Sequence, residues 1–365
     1  MILGIDISTY LESLRLGAKY YRGGKEVDPF ADIVRSNGVN YMRIRVWKDP
    51  YDENGKPYLG GTCDYQNYVE LARLAKKEGC KILLDPHFSD FWCDPGKQTL
   101  PKAWQGLDEK KLLVALRKYC QKLFGDCVND GVIPDIVQLG NEITNGMLWP
   151  FAKLSDNSPR ENYPNLIKCL SIISGEVRAA FPNAARIIHL ERSYDNAVYR
   201  EFFDQVNDEV DFEYIGMSYY PYWHLSFDKL FANIDDMFAR YGKKTIIVET
   251  GYAFTVEDYV LNPQDGSKLV IAKEGDPSTY IPFPLTKEGQ EKFIEELLKG
   301  IKSHPVDGVF YWEPFWLPGD GVCWASKEGQ RYIKEEKGGT RNEWANQCLY
   351  DYGGNALPSL GKYHF

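Results

Sequence analysis

The chain has 365 residues, a net charge of −9, 44% hydrophobic and 26% charged residues, which is the profile of a folded globular protein. An acidic surface does not attract phosphate backbones, and no apolar run approaches the ~18 residues that span a bilayer, so neither a nucleic-acid partner nor a membrane span is expected. Aromatic residues reach 14%, with 25 Tyr and 9 Trp, and several sit beside Asp, Asn, Glu or His, where rings can cover a sugar face while their neighbours bond its hydroxyls.

Short β-rich runs alternate with longer segments of helical period. Leu3 to Ile7 is the first strand, and Phe30 to Asn37 a helix ended by Gly38. Tyr41 to Trp47 is the second strand, Asn67 to Glu78 a helix closed by Gly79, and Lys81 to Phe88 the third strand. A polar, aromatic loop from Ser89 to Gln105 leads to the helix Glu109 to Val128. The fourth strand lies in DIVQLGNEITNGMLWP, Asp135 to Pro150, where Ile136, Val137 and Leu139 give way to Gly140, Asn141 and Glu142. The helix Pro164 to Phe181, the strand Arg186 to Leu190, the helix Val198 to Val206 and the strand Tyr214 to Tyr220 follow. The helix Phe227 to Tyr241 precedes the seventh strand, Thr245 to Thr250, which carries Glu249 after Ile246, Ile247 and Val248. A long loop, Tyr252 to Leu285, the helix Lys287 to Ser303 and the strand Gly308 to Pro314 complete the set. Eight strands alternating with helices imply right-handed crossovers and closure, so an α/β fold is expected, one (β/α)8 TIM barrel with extended βα loops across residues 1–365.

The eight cysteines show neither CxxC pairs nor scaffold-like spacing. Cys80 and Cys169 read as small core residues, and one bridge, Cys323 to Cys348, is left open. The start MILGIDIS has no basic stretch, apolar run and cleavage site in series, so a cytoplasmic protein is expected, with a secreted one whose leader has been removed as the alternative.

In such a barrel the carboxyl-terminal strand ends face the substrate, and unusual polar groups gather there: Arg43 and Arg45, Asp85 and His87, Asn141 and Glu142, Tyr219 and Tyr220, Glu249, then Trp312 and Glu313. Two carboxylates on separate strands are what cleavage of a glycosidic bond needs, one to protonate the departing oxygen and one to meet the cationic centre. Glu142 and Glu249 suit those tasks; Asp6, Glu191 and Glu313 compete on spacing. Arg45 needs partners for five donors and is expected to reach a carboxylate at the site, with a structural ion pair as the alternative. His87 reads as a sugar contact or a satisfied core histidine.

The combination of GIDIS, RIRVW, HFSDFWCDPGKQ, QLGNEITNGMLWP, SYYPYW, IVETGYA, FYWEPFW and NALPSL, from about Gly4 to Leu360, resembles glycoside hydrolase family 53, the endo-β-1,4-galactanases. That resemblance implies a (β/α)8 barrel hydrolysing β-1,4-galactan or galacto-oligosaccharides with retention, with Glu142 as acid/base beside Asn141 and Glu249 as nucleophile. It further implies that Arg45, Tyr219 and Trp312 hold the sugar, although Tyr220 competes with Tyr219, and that His87, Asp90 and Trp92 lie in the substrate cleft. Two features depart from the family pattern. The loop Val256 to Gly266 lacks the closely spaced Asp, His and Asn by which many members bind calcium, so no cofactor or metal is expected, with calcium left open. Cys93 stands where a small residue is expected, and as an accessible thiol it would suit a reducing compartment. The expected protein is a monomer. A hydrolase for another β-linked polysaccharide and a noncatalytic carbohydrate-binding protein are the rivals.

Overall fold

The structure is a computed structural model and describes every residue except 155–158, 261–267, 269, 273–278 and 336–340. Eight strands close a barrel: β1 (Ile2–Asp6), β2 (Tyr41–Val46), β3 (Lys81–Pro86), β4 (Ile136–Gln138), β5 (Ala185–Leu190), β6 (Tyr214–Tyr219), β7 (Thr245–Thr250) and β8 (Val306–Tyr311). Each pairs in parallel with its sequence neighbours, and β1 pairs with β8. The expected (β/α)8 TIM barrel is therefore the observed fold. Seven helices cover its outside: α1 (Pro29–Asn37), α2 (Tyr65–Lys77), α3 (Glu109–Asn129), α4 (Tyr163–Ala180), α5 (Asn196–Val206), α6 (Phe227–Tyr241) and α7 (Lys287–Ile301). Asp28, Asp64, Asp108, Asp195 and Thr286 cap five of them, accepting from first-turn N–H groups that would otherwise lack a partner. Where an eighth helix would close the ring, the 3-10 turn Pro358–Lys362 packs on α7 and α1. No described helix is long and apolar enough to cross a membrane.

Side chains along a strand alternate between the helix layer and the barrel interior, and this period of two assigns every residue near the site. Met42, Ile44 and Val46 of β2 join the outer core, so Arg43 and Arg45 point inward. The lower interior is filled by Leu83, Ile136, Ile187, Ile246, Val248 and Phe310. Above them the buried inward residues turn polar: Asp6, Arg43, Asp85, Gln138, His189 and Ser218. The polar layer is thus seated on an apolar floor.

One irregularity re-aims a side chain. Ile246 and Val248 both sit in the interior cluster, so strict alternation would send Glu249 outward into the helices. The register against β6 and β8 shifts between Ile247 and Thr250, and this bulge lets Glu249 face the cavity.

All eight cysteines are free and buried, so Cys323 and Cys348 form no bridge. The Cys348 sulfur instead faces the Glu313 carbonyl at 3.7 Å. Residues 261–266 of the loop that bears on calcium lie outside the described residues, and among those described no cluster of three or more His, Cys, Asp or Glu suited to a metal occurs.

The floor depends on two glycines that leave space for bulky neighbours. A Cβ on Gly4 would lie 2.2 Å from the Phe310 ring, and one on Gly216 would lie 2.6 Å from Ile187 Cγ2. Gly4→Ala should therefore cost roughly 1–3 kcal/mol through overpacking. Denaturant unfolding checks this, and a variant as stable as the parent would mean that the floor has slack.

Candidate active site

β4 stops after three residues because Gly140 (φ 117°) and Glu142 (φ 48°) turn the chain sharply at the barrel mouth. For Glu142 this is the left-handed region, sparsely used by residues with a Cβ, and surrounding bonds hold it there. Gln98 Nε2 donates to the Asn141 carbonyl at 2.8 Å, and Asn141 Nδ2 donates to the Cys93 carbonyl at 2.9 Å. The turn leaves the Glu142 side chain half-buried in a cavity of about 410 Å³, which Glu249 reaches from the β7 bulge.

Arg43 ties the polar layer to this cavity. Its Nη1 donates to Asp6 at 2.7 Å; its Nη2 donates to Asp85 at 2.7 Å and to Asn141 Oδ1 at 2.8 Å and lies in ion-pair contact with Glu249 at 2.8 Å; its Nε donates to Gln138 at 2.8 Å. Tyr220 donates its hydroxyl to the other Glu249 oxygen at 3.1 Å. Among the described residues no cation pairs with Glu142. Its side chain is met by Ser218 Oγ, which donates to Oε1 at 2.6 Å, while His189 Nε2 lies 2.8 Å behind that hydroxyl.

These surroundings set the two carboxyls apart. Burial, with the negative charges of Glu249 and Glu191 close by, holds Glu142 well above the usual carboxylate range. Burial also raises Glu249, but Arg43 opposes the rise and it stops at about 7. Glu142 is the proton holder of the pair and Glu249 the readier anion.

The other acidic candidates are occupied. Glu313 accepts from Thr9 Oγ1 at 2.5 Å and Thr9 N at 3.1 Å and pairs with Arg45 Nη1 at 2.7 Å. Asp6 accepts from Ser8 Oγ at 2.6 Å as well as from Arg43. Glu191 lines the cavity but is held by Thr144 and by Arg192 Nε at 3.0 Å.

Of the residues expected at the site, Glu142, Glu249, Asn141, Arg45, His87, Trp92 and Trp312 all line the cavity. His87 is saturated by protein: Nδ1 accepts from Cys93 N at 3.0 Å and Trp47 Nε1 at 3.3 Å, so Nε2 donates to Asp85 at 3.1 Å. Only its ring is offered to a ligand. Trp92 and Trp312 lie 6.3 Å apart between ring centres, and Arg45 stacks 4.3 Å over Trp92.

Three expectations, for Tyr219, Asp90 and Cys93, need correction. Tyr219 points into the helix layer, where its hydroxyl donates to the Leu225 carbonyl at 3.0 Å and its ring packs on Phe227 and Phe293. Strand parity puts Tyr220 in the cavity instead. Arg45 does reach a carboxylate, Glu313, as one of the partners open to it, while the guanidinium beside Glu249 belongs to Arg43, one pleat lower. Asp90 is fully buried away from the cavity and pins the loop after β3 by accepting from Lys102 N at 2.7 Å. Cys93 is 3% exposed, donates to the His87 carbonyl at 3.2 Å and is pushed far above the ordinary thiol range by burial, which makes it a packed residue rather than an accessible thiol.

Sequence reasoning missed His189, Ser218 and Gln138, and the aromatic rim of Trp223, Trp324 and Trp344. The first three were legible by parity, since each lies an even number of residues from an inward neighbour on its own strand. The rim tryptophans come from the irregular segments after the strands, Trp223 from the one-turn helix Pro221–His224 among them, too short for a period to assign a direction.

A model of glycosyl hydrolase family 53 matches residues 2–363. The Endo-beta-1,4-galactanase of Bacillus subtilis (strain 168) is 31% identical over 385 residues, spanning 100% of this chain and 85% of that protein. Among solved structures, the Ignisphaera aggregans GH53 catalytic domain is 34% identical with a TM-score of 0.85, spanning 99% of this chain and 95% of its own. A structure of fungal beta-1,4-galactanases is 26% identical with a TM-score of 0.76, spanning 100% and 98%. Likeness over nearly the full length, on a barrel whose mouth brings two glutamates into one cavity, means that this chain belongs to glycosyl hydrolase family 53 and is a glycosidase.

Proposed function

We propose that the protein is an endo-acting, retaining β-1,4-galactanase that cleaves galactan and type I arabinogalactan by double displacement. The observation that carries the reading is the pair of buried carboxyls with opposite neighbours, Glu249 against Arg43 and Tyr220, Glu142 against Ser218 and like charges. The names of the curated relatives support galactan as the substrate, and the tryptophans around the cavity supply flat apolar surfaces for hexose rings.

In the first step Glu249, its charge shared with Arg43, attacks the anomeric carbon, while Glu142 gives its proton to the departing glycosidic oxygen. A galactosyl ester on Glu249 results. In the second step Glu142, now ionised, removes a proton from water, which attacks the same carbon and frees Glu249. Neither step leaves a charge unmatched, because the proton lost in the first is recovered in the second.

Chromatography of products from linear galactan, beside xylan, mannan and β-glucan, tests the substrate assignment. Release of short galacto-oligosaccharides from galactan alone is expected; preference for another polymer would overturn it. Glu249→Gln should reduce turnover on the order of ten-thousand-fold or more while oligosaccharide binding persists. Glu142→Gln should cost roughly 10²–10⁴-fold on galactan, and far less in the first step on aryl galactosides with activated leaving groups. Equal loss on both substrates contradicts the acid role.

The dependence of kcat/KM on pH follows from the same environments. Activity needs Glu249 ionised and Glu142 protonated, so it rises as pH climbs through the Glu249 value and falls as pH passes the Glu142 value. With Glu249 raised to about 7 and Glu142 held well above the carboxylate range, the rising limb should lie near neutrality. A rising limb at pH 4, the range of an ordinary carboxylate, would contradict this picture.

A further inference from the structure

Building on the acid/base role of Glu142, we propose that Ser218, oriented by His189, is a positioning residue that fixes which oxygen of Glu142 carries the transferable proton. The directions of a chain of buried hydrogen bonds lead there from Arg43. A guanidinium can only donate, so Arg43 Nε gives its proton to Gln138 Oε1 at 2.8 Å. That choice makes the other Gln138 atom a nitrogen, which donates to Asp85 Oδ1 at 2.7 Å and faces His189 Nδ1 at 3.2 Å.

The backbone N–H of Glu142 also points at His189 Nδ1, at 3.4 Å. The third atom near it, Asn141 Oδ1 at 3.1 Å, accepts from Arg43 Nη2 and has a second lone pair, but a proton on Nδ1 aimed at it would leave the Gln138 Nε2 and Glu142 N donors facing an N–H. Two donors converge on Nδ1, so it is the accepting nitrogen. Burial holds His189 well below the ordinary histidine range, so the ring is neutral and its single proton is on Nε2. Nε2 then donates to Ser218 Oγ at 2.8 Å, and the Ser218 hydroxyl donates to Glu142 Oε1 at 2.6 Å. Each direction is set by the link before it.

Two consequences follow for catalysis. Oε1 is committed as an acceptor, so when Glu142 is protonated the proton resides on Oε2, the oxygen that Ser218 leaves free. Reversing the Ser218 hydroxyl to receive a proton from Oε1 would aim its own hydrogen at the Nε2–H, which cannot accept it. In the second step the same hydroxyl stabilises the ionised form. The acidic groups facing Glu142 from other elements, Glu249 on β7, Glu191 after β5 and Asp94 in the loop after β3, favour its neutral form, while the nearby phenols of Tyr220 and Tyr199 are kept protonated by burial and add no charge. The hydrogen bond from Ser218 opposes them.

The test is a titration of the free protein labelled with 13C at glutamate side-chain carboxyls, followed by NMR, with the Glu142 signal assigned through Glu142→Gln. Ser218→Ala should move the Glu142 midpoint up by about one pH unit, the size expected for losing one hydrogen bond to a carboxylate. Ser218→Thr, which keeps the hydroxyl, should leave it in place. His189→Gln preserves a donor where Nε2 stands and should also leave it, whereas His189→Leu should move it upward. A midpoint unmoved in Ser218→Ala, or moved equally by Ser218→Thr, overturns the proposal. The falling limb of kcat/KM should shift in the same direction as the titration. Wild-type protein inert on every galactan would instead overturn the substrate assignment, and the NMR titration would still decide the Ser218 link.

Discussion

The structure depends on one buried guanidinium. Arg43 sits at the centre of the barrel with 1% of its side chain exposed and neutralises parts of three carboxylates from three strands, Asp6, Asp85 and Glu249. A charge taken out of water is costly unless it is fully bonded, and breaking a buried ion pair by removing one partner costs roughly 3–5 kcal/mol. Arg43 therefore cannot be exchanged without rearranging the polar layer. The same side chain holds Glu249 closer to its ionised form than Glu142, so the group that keeps the barrel together also divides the labour of the two glutamates. Arg45, one pleat above, serves a second circuit with Glu313 and Thr9, which removes Glu313 from contention.

The backbone contributes as much as the charges. Glu142 is presented from a left-handed turn and Glu249 from a bulge, two departures from regular strand geometry at the two residues to which the proposed mechanism assigns the chemistry. Regular alternation would have left Glu249 facing α-helices. Such irregularities are sustained only because the apolar floor and the parallel pairing beneath them are regular. Loop segments then finish the cavity: Gln98 clamps the turn at Asn141, Lys102 and Asp90 brace the loop after β3, and tryptophans from several loops form the walls.

Much of this was legible in the chain. Eight strand patterns separated by helical ones gave the barrel, because the periods of 2 and 3.6 are direct consequences of backbone geometry. Polar residues at the ends of apolar runs marked the mouth, and Glu142 and Glu249 were found that way. The choice of Tyr219 over Tyr220 failed although parity from Gly216 and Ser218 settles it. The choice between Arg43 and Arg45 could not be made by parity, since both point inward; only height along the barrel separates them. Asp90 failed because a motif's cluster of polar residues need not all face one way. The β7 bulge and the partners of His189 required coordinates, since neither leaves a mark in composition or period.

The claim that bears most weight is that Glu249, kept near its anion by Arg43, bonds to the anomeric carbon. Incubation with a galactosyl fluoride bearing a second fluorine at carbon 2, which slows release of the trapped sugar, followed by mass mapping of peptides, addresses it directly. The account predicts one fluorogalactosyl unit, attached to the peptide containing Glu249. Attachment at Glu191 or Glu313, or hydrolysis of galactan with inversion and no adduct at all, would contradict it.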